Sequence, residues 1–147
     1  MWRQRLFQRI LIPIDGSQLS LEAAKQGVYI AKKLESKVVF LYVIDVRMIE
    51  TSSLTGTDPG ILKTRLRNVA ERYLNEAAKL AEEENVTFQN QIREGLPAED
   101  ILKEIEEEKI DLVIMGSKGM SGAHRVIIGS TAEEVVRWSP CPVLIVK

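Results

Sequence analysis

A chain of 147 residues with 20 basic and 21 acidic side chains, 45% hydrophobic and 28% charged residues and a net charge of −1 has the make-up of an ordered, globular protein. Those values exclude intrinsic disorder and any bulk attraction to nucleic acid. The length suits a single domain, residues 1–147, that buries roughly two-thirds of the surface its unfolded form would expose.

The lone Cys141 leaves no intramolecular disulfide, and the lone His124 leaves no cysteine or histidine cluster for zinc. A reducing, cytoplasmic setting is expected. Arg3, Arg5 and Arg9 with Trp2 and Phe7 make a small basic start, read here as the solvated lead-in to a strand. The apolar run Ile10-Leu11-Ile12-Pro13-Ile14 behind it is too short for a secretory signal and ends at Asp15. No run approaches the ~20 residues that cross a membrane.

Apolar runs then alternate with helical patterns, which predicts a parallel sheet covered by helices on both faces. The first strand is expected from Gln8 to Ile14 and the first helix from Ser17 to Leu34, with Leu21, Ala24, Val28, Ala31 and Leu34 on its inner stripe. The second strand spans Val38 to Ile44. Behind it lies a Thr-, Ser- and Gly-rich stretch from Val46 to Gly60, longer than most structureless connections and therefore expected to be functional or mobile. A long helix follows from Ile61 to Glu84.

The third strand is expected from Thr87 to Arg93, after which Gly95 turns the chain and Pro97 opens a helix at a position where its missing N–H costs nothing. Glu99 and Asp100 suit that helix's positive end. The fourth strand covers Asp111 to Met115, the last helix Ser130 to Trp138, and the fifth strand Val143 to Val146. Strands one, two, four and five are apolar almost without alternation, as strands buried on both faces are. The third alternates, which assigns it to an edge.

The economical arrangement is an α/β fold, a doubly wound five-stranded parallel sheet in the order 3-2-1-4-5 with right-handed crossovers. Its topological switch lies between strands one and four, where Asp15 and Gly116 meet and where ligands bind such sheets.

At that switch the fourth strand runs into Gly116, Gly119 and Gly129, the last followed by Ser130-Thr131 and a helix. Glycine lets backbone approach an anion, and the N–H groups of a helix start attract negative charge. Ser130 is read either as a phosphate donor or as an N-cap that forms a capping box with Glu133. Asp15 either accepts from ribose hydroxyls and helps hold a magnesium ion, or caps the first helix together with Ser17. Lys118, His124 and Arg125 are the cations in or beside the glycine loop; they offset phosphate charge or are simply solvated. The loop is not a P-loop, since no GxxxxGK[ST] occurs, and its spacing differs from the dinucleotide fingerprint.

The spacing Gly116-x2-Gly119-x9-Gly129-Ser130 resembles the nucleotide-binding motif of the universal stress protein family, of the ATP-binding subgroup. The resemblance extends to Ile12-Pro13-Ile14-Asp15-Gly16-Ser17, Leu41-Tyr42-Val43-Ile44, Gly95-Leu96-Pro97-Ala98 and Asp111-Leu112-Val113-Ile114-Met115-Gly116, and so covers essentially the whole chain. It implies that Gly116, Gly119, Gly129, Ser130 and Thr131 hold phosphates, that Asp15 touches the nucleotide or its metal, and that Pro13, Val43 and Met115 line a slot for adenine. Without the resemblance Val43 and Met115 are core residues.

The implied ligand is ATP with Mg2+ or Mn2+. The implied role is a nucleotide-dependent sensor or switch in the stress response, acting on a downstream protein that the sequence does not name. Slow or no hydrolysis is expected, because no dedicated base is visible; the acidic runs Glu82-Glu83-Glu84 and Glu106-Glu107-Glu108 are read as solvated helix ends. A slow ATPase or phosphate-transferring enzyme on the same fold, and a dimeric interaction module without nucleotide, are the alternatives. A receiver domain is disfavoured, since the third strand ends in Arg93-Glu94 with no aspartate at its tip. Cys141, between two prolines, reads as structural. The apolar last strand would be an open sheet edge, and the resemblance implies a twofold homodimer through it.

Overall fold

The computed structural model describes residues 6–118 and 128–147. Its strands are β1 (Arg9–Pro13), β2 (Lys37–Asp45), β3 (Phe88–Gly95), β4 (Leu112–Gly116) and β5 (Val143–Val146). They form one five-stranded sheet in the order β3-β2-β1-β4-β5, parallel at every pairing. The helices are α1 (Gln18–Leu34), α2 (Val46–Glu50), α3 (Pro59–Glu83), α4 (Pro97–Glu107) and α5 (Ser130–Trp138), with a 3₁₀ turn at Thr51–Leu54. The expected fold class and strand order are therefore those observed.

Alternation along the central strands sends side chains to two cores. Ile10, Ile12, Val38, Phe40 and Ile114 pack against α1 and α3 on one face. Leu11, Val39, Leu41, Val113 and Met115 pack against α4 and α5 on the other. Each fully buried Ile, Leu or Phe among them contributes about 1.5–3 kcal/mol. Both faces are thus apolar, which is why the inner strands carry no polar alternation.

Close approach of α1 to the sheet depends on small residues: Ala23, Ala24, Gly27, Val28 and Ala31 are its buried apolar face. A Cβ on Gly27 would stand 2.3 Å from Ile12 Cδ1. The stripe read from the sequence is correct at its centre and wrong at its end, where Leu34 is exposed. It occupies the last position of the helix.

Three further expectations need correction. The stretch 46–60 is not structureless: it holds α2, the 3₁₀ turn and the start of α3. The hydroxyl-rich composition that suggested a loop instead closes helical turns. Thr51 Oγ1 donates to the Arg47 carbonyl at 3.0 Å, and Ser53 Oγ to that of Glu50 at 3.1 Å, the back-bonding open to Ser and Thr on a helix. Asp45 and Asp58 cap α2 and α3 by accepting from the Arg47 and Ile61 amides.

The acidic runs are not simply solvated. Glu108 pairs with Arg9, Glu84 with Lys32, and Glu107 shares Arg93 with the fully buried Glu104. Finally, β5 is not buried on both faces: as an edge strand it exposes Leu144 and half-exposes Val143 and Ile145.

Candidate functional site

Pro13 ends β1 and Gly116 ends β4, and these neighbouring strands send their connections to opposite faces of the sheet. A crevice must open where the chain departs both ways. Its volume is about 220 Å³, and it is lined by Pro13, Ile14, Asp15, Ser20, Leu41, Val43, Pro97, Ile101, Met115, Gly116, Lys118, Gly129, Ser130, Thr131 and Ala132. All the described residues singled out from the sequence meet there: Pro13, Asp15, Val43, Met115, Gly116, Gly129, Ser130 and Thr131. Gly119, His124 and Arg125 lie outside the described residues, as do Trp2, Arg3 and Arg5.

The crevice has an apolar side and a polar side. Pro13, Leu41, Val43, Pro97, Ile101 and Met115 supply the first, a surface suited to a flat, largely apolar ring. Leu41 and Ile101 were not anticipated, although the pattern contains them. Leu41 shares a strand face with Val43 two residues on, and Ile101 stands one helical turn after Pro97.

Asp15 sits in the turn that joins β1 to α1. Its Oδ1 accepts from the Ser17 amide at 2.9 Å, and Ser17 Oγ accepts from the Ser20 amide at 3.1 Å as the N-cap of α1. Asp15 therefore takes the turn-ordering role through one carboxylate oxygen, and the residue also lines the crevice. Gly16 carries φ +86°, and a Cβ there would lie 2.5 Å from the Tyr73 ring, so glycine is required both for conformation and for space. Tyr73 stacks on Tyr42 at 6.5 Å. Burial, then the charge of Asp15, then Tyr73 push the Tyr42 hydroxyl above its usual range.

Gly116 has a packing reason of its own. A Cβ would stand 2.9 Å from Leu19 Cβ and 3.1 Å from the Leu19 carbonyl carbon, so any side chain would push α1 off the end of β4.

Beyond Gly116 the chain is pinned twice. The Ser117 amide donates to the Val146 carbonyl at 2.8 Å, and the Gly129 amide donates to the Ser117 carbonyl at 2.6 Å. This tie holds the start of α5 beside the end of β4, and it removes the Gly129 N–H from the set of amides expected to face a phosphate. Gly129 itself is the N-cap of α5, with no side-chain cap hydrogen bond. Ser130 is the first helical residue, so the capping box with Glu133 does not form. The first-turn amides of a helix have no intrahelical acceptor, and among the described residues no side chain caps them.

Lys118, which the sequence left either to offset phosphate charge or to be simply solvated, is only 9% exposed. Among the described residues its Nζ has no hydrogen-bond partner. An apolar slot, an uncapped helix start and an unpaired ammonium together fit a nucleotide: base on one side, phosphate on the other. A metal would have to share phosphate oxygens with Asp15, since no group of three or more His, Cys, Asp or Glu gathers among the described residues. No helix among them is long and apolar enough to cross a membrane.

Comparison with known proteins gives a consistent result. The model of the universal stress protein family matches residues 6–147. Universal stress protein MJ0531 of Methanocaldococcus jannaschii is 38% identical over 144 residues, which span 98% of this chain and 84% of that protein. The solved structure of protein MJ0577 from the same archaeon aligns with a TM-score of 0.82 at 31% identity, over 97% of this chain and 96% of that one. Two more distant structures share the fold. A universal stress protein in complex with cAMP has a TM-score of 0.68 and 22% identity over 96% of this chain and 97% of its own. One from Archaeoglobus fulgidus in complex with dAMP has a TM-score of 0.68 and 16% identity over 97% and 99%. The chain belongs to the universal stress protein family.

Proposed function

We propose that this universal stress protein family member binds an adenine nucleotide, ATP with Mg2+ or Mn2+, in the crevice at the end of β1 and β4. We further propose that it works as a nucleotide-dependent switch in the stress response, in the cytoplasm, with slow or no hydrolysis. The observation that carries the reading is the convergence of Pro13, Asp15, Val43, Met115, Gly116, Gly129, Ser130 and Thr131 on one crevice of about 220 Å³. The cAMP and dAMP complexes of fold relatives support the adenine assignment.

In this reading Pro13, Val43 and Met115 flank the base, and the start of α5 with the Ser130 and Thr131 hydroxyls faces the phosphates. A divalent ion would screen charge between phosphate oxygens, with Asp15 as its protein ligand. Slow turnover is proposed because hydrolysis needs a group that orients water, and Asp15, the one carboxylate among the described residues of the crevice, is already assigned to the metal. Pairing of two β5 edges would build a homodimer, a role consistent with the exposed Leu144 at that edge.

The test is the identity of the small molecule released when freshly purified protein is denatured, read by mass spectrometry, together with thermal unfolding on addition of ATP and Mg2+. An adenine nucleotide in the supernatant and a raised unfolding temperature are expected. Protein that releases none and gains no stability from any adenine nucleotide would remove the reading.

A further inference from the structure

Lys118 is the feature of the crevice that its lining does not explain. A lysine is almost never this buried unless paired, yet no described group accepts from its Nζ. Asp15, a carboxylate lining the same crevice, would be the natural counter-ion. It does not pair with Lys118 and instead engages the Ser17 amide. Two opposite charges that share one crevice without meeting leave a place between them for a third group.

The position of Lys118 is fixed by the chain. Ser117, just before it, is held through its amide to Val146 and through its carbonyl to the Gly129 amide. Gly129 is the N-cap of α5. The backbone at Lys118 is thereby held beside the start of α5, and among the described residues no side chain caps that start. Two positive sources that no described group neutralises raise each other's need for an anion.

Resting on the nucleotide reading above, we propose that Lys118 is the phosphate-sensing residue of the crevice: it pairs directly with a ligand phosphate and makes binding depend on phosphorylation, so that nucleotides are taken and nucleosides refused. The apolar side of the crevice is shared by both kinds of ligand and gives little discrimination. A buried ammonium gives much, because it is relieved only by an anion.

The test compares wild type, Lys118→Met and Lys118→Arg for binding of ATP with Mg2+, AMP and adenosine by calorimetry, with unfolding temperature of the free proteins as the second readout. Wild type is expected to bind both nucleotides more tightly than adenosine. Lys118→Met should lose roughly tenfold to a hundredfold in affinity for ATP and AMP, the range for a charged hydrogen bond, and keep its adenosine affinity within about twofold. Free Lys118→Met should unfold at or above the wild-type temperature, since an unpaired buried charge has been removed. Lys118→Arg should retain a preference for nucleotide over nucleoside, which keeps the test decisive if the methionine variant folds poorly.

Loss of ATP and adenosine affinity in parallel would make Lys118 a packing residue and overturn the inference. So would unchanged ATP affinity in Lys118→Met, with the nucleotide reading left standing. A wild-type protein that binds no adenine compound at all would overturn the nucleotide reading, and this inference with it.

Discussion

The two ends of the sheet treat their polar groups in opposite ways. Where the strands begin, polar groups are tied to one another. Asp111 accepts from the Gln8 and Arg9 amides at 2.8 and 2.9 Å, and Arg9 donates to the Glu108 carbonyl and carboxylate at 2.7 and 2.6 Å. Gln89 adds a further donor to the same carboxylate. Where the strands end, among the described residues Lys118 has no partner and α5 starts without a side-chain cap, and Asp15 turns one oxygen to its own turn and lines an open crevice. One end is a closed network that holds the fold, and the other leaves groups that no described side chain satisfies. Unsatisfied buried polar groups are rare because they are costly. Among the described residues two side-chain atoms are of this kind: Glu104 Oε1, on a carboxylate already paired with Arg93, and Lys118 Nζ, the one of the two that lines the crevice.

The closed end is expected to respond to mutation as structure. Asp111→Ala strands two amides at the entry to β1 and should cost about 3 kcal/mol, from two hydrogen bonds to a charged acceptor that water at the partly exposed site only partly replaces. Urea unfolding with an unchanged slope checks it. Nucleotide affinity should remain at the wild-type level, because the substitution and the crevice lie at opposite ends of the strands and distant sites behave independently.

The open end is expected to respond to ligand. ATP with Mg2+ at a hundred times its dissociation constant should add about 2.7 kcal/mol, an increase in unfolding temperature of about 5–10 °C for a domain of this size. Asp111→Ala should gain the same increment from a lower baseline, and calorimetric scans of both proteins with and without nucleotide measure it. A smaller gain in the variant would mean the two ends are coupled, which would break the contrast.

How much of this was legible in the sequence follows from the range of the interactions involved. Strand order and helix placement were readable because both are written in local apolar periodicity and in the crossover rule. Pro13, Val43 and Met115 entered only through the family resemblance, since on the residues alone Val43 and Met115 read as core. Lys118 was named but read as one loop cation among others, since its burial depends on the contact between Ser117, Val146 and Gly129 that no sequence window contains. The ion pair of Arg93 with the buried Glu104 was missed for the same reason: Glu104 looks like one more charge on an acidic helix until α4 is laid against β3. The stretch 46–60 failed differently, because Ser and Thr serve turns and short back-bonded helices alike.

The finest distinction concerns two serines that the sequence presents as equals, each at the start of a helix. Ser17 is an N-cap, with Oγ accepting from the Ser20 amide at 3.1 Å, and Ser17→Ala should cost about 1 kcal/mol in the free protein. Ser130 stands one residue inside α5 and caps nothing, so Ser130→Ala should change the stability of the free protein by less than about 0.5 kcal/mol. Its effect should appear only with ligand, as a loss of about 0.5–1.5 kcal/mol in ATP binding. Urea unfolding of both variants, paired with calorimetric titration, separates a hydroxyl that holds the fold from one held in reserve for a phosphate. A Ser130→Ala variant as destabilised as Ser17→Ala, with ATP affinity intact, would turn the open end into an ordinary helix start and remove the contrast on which the site assignment rests.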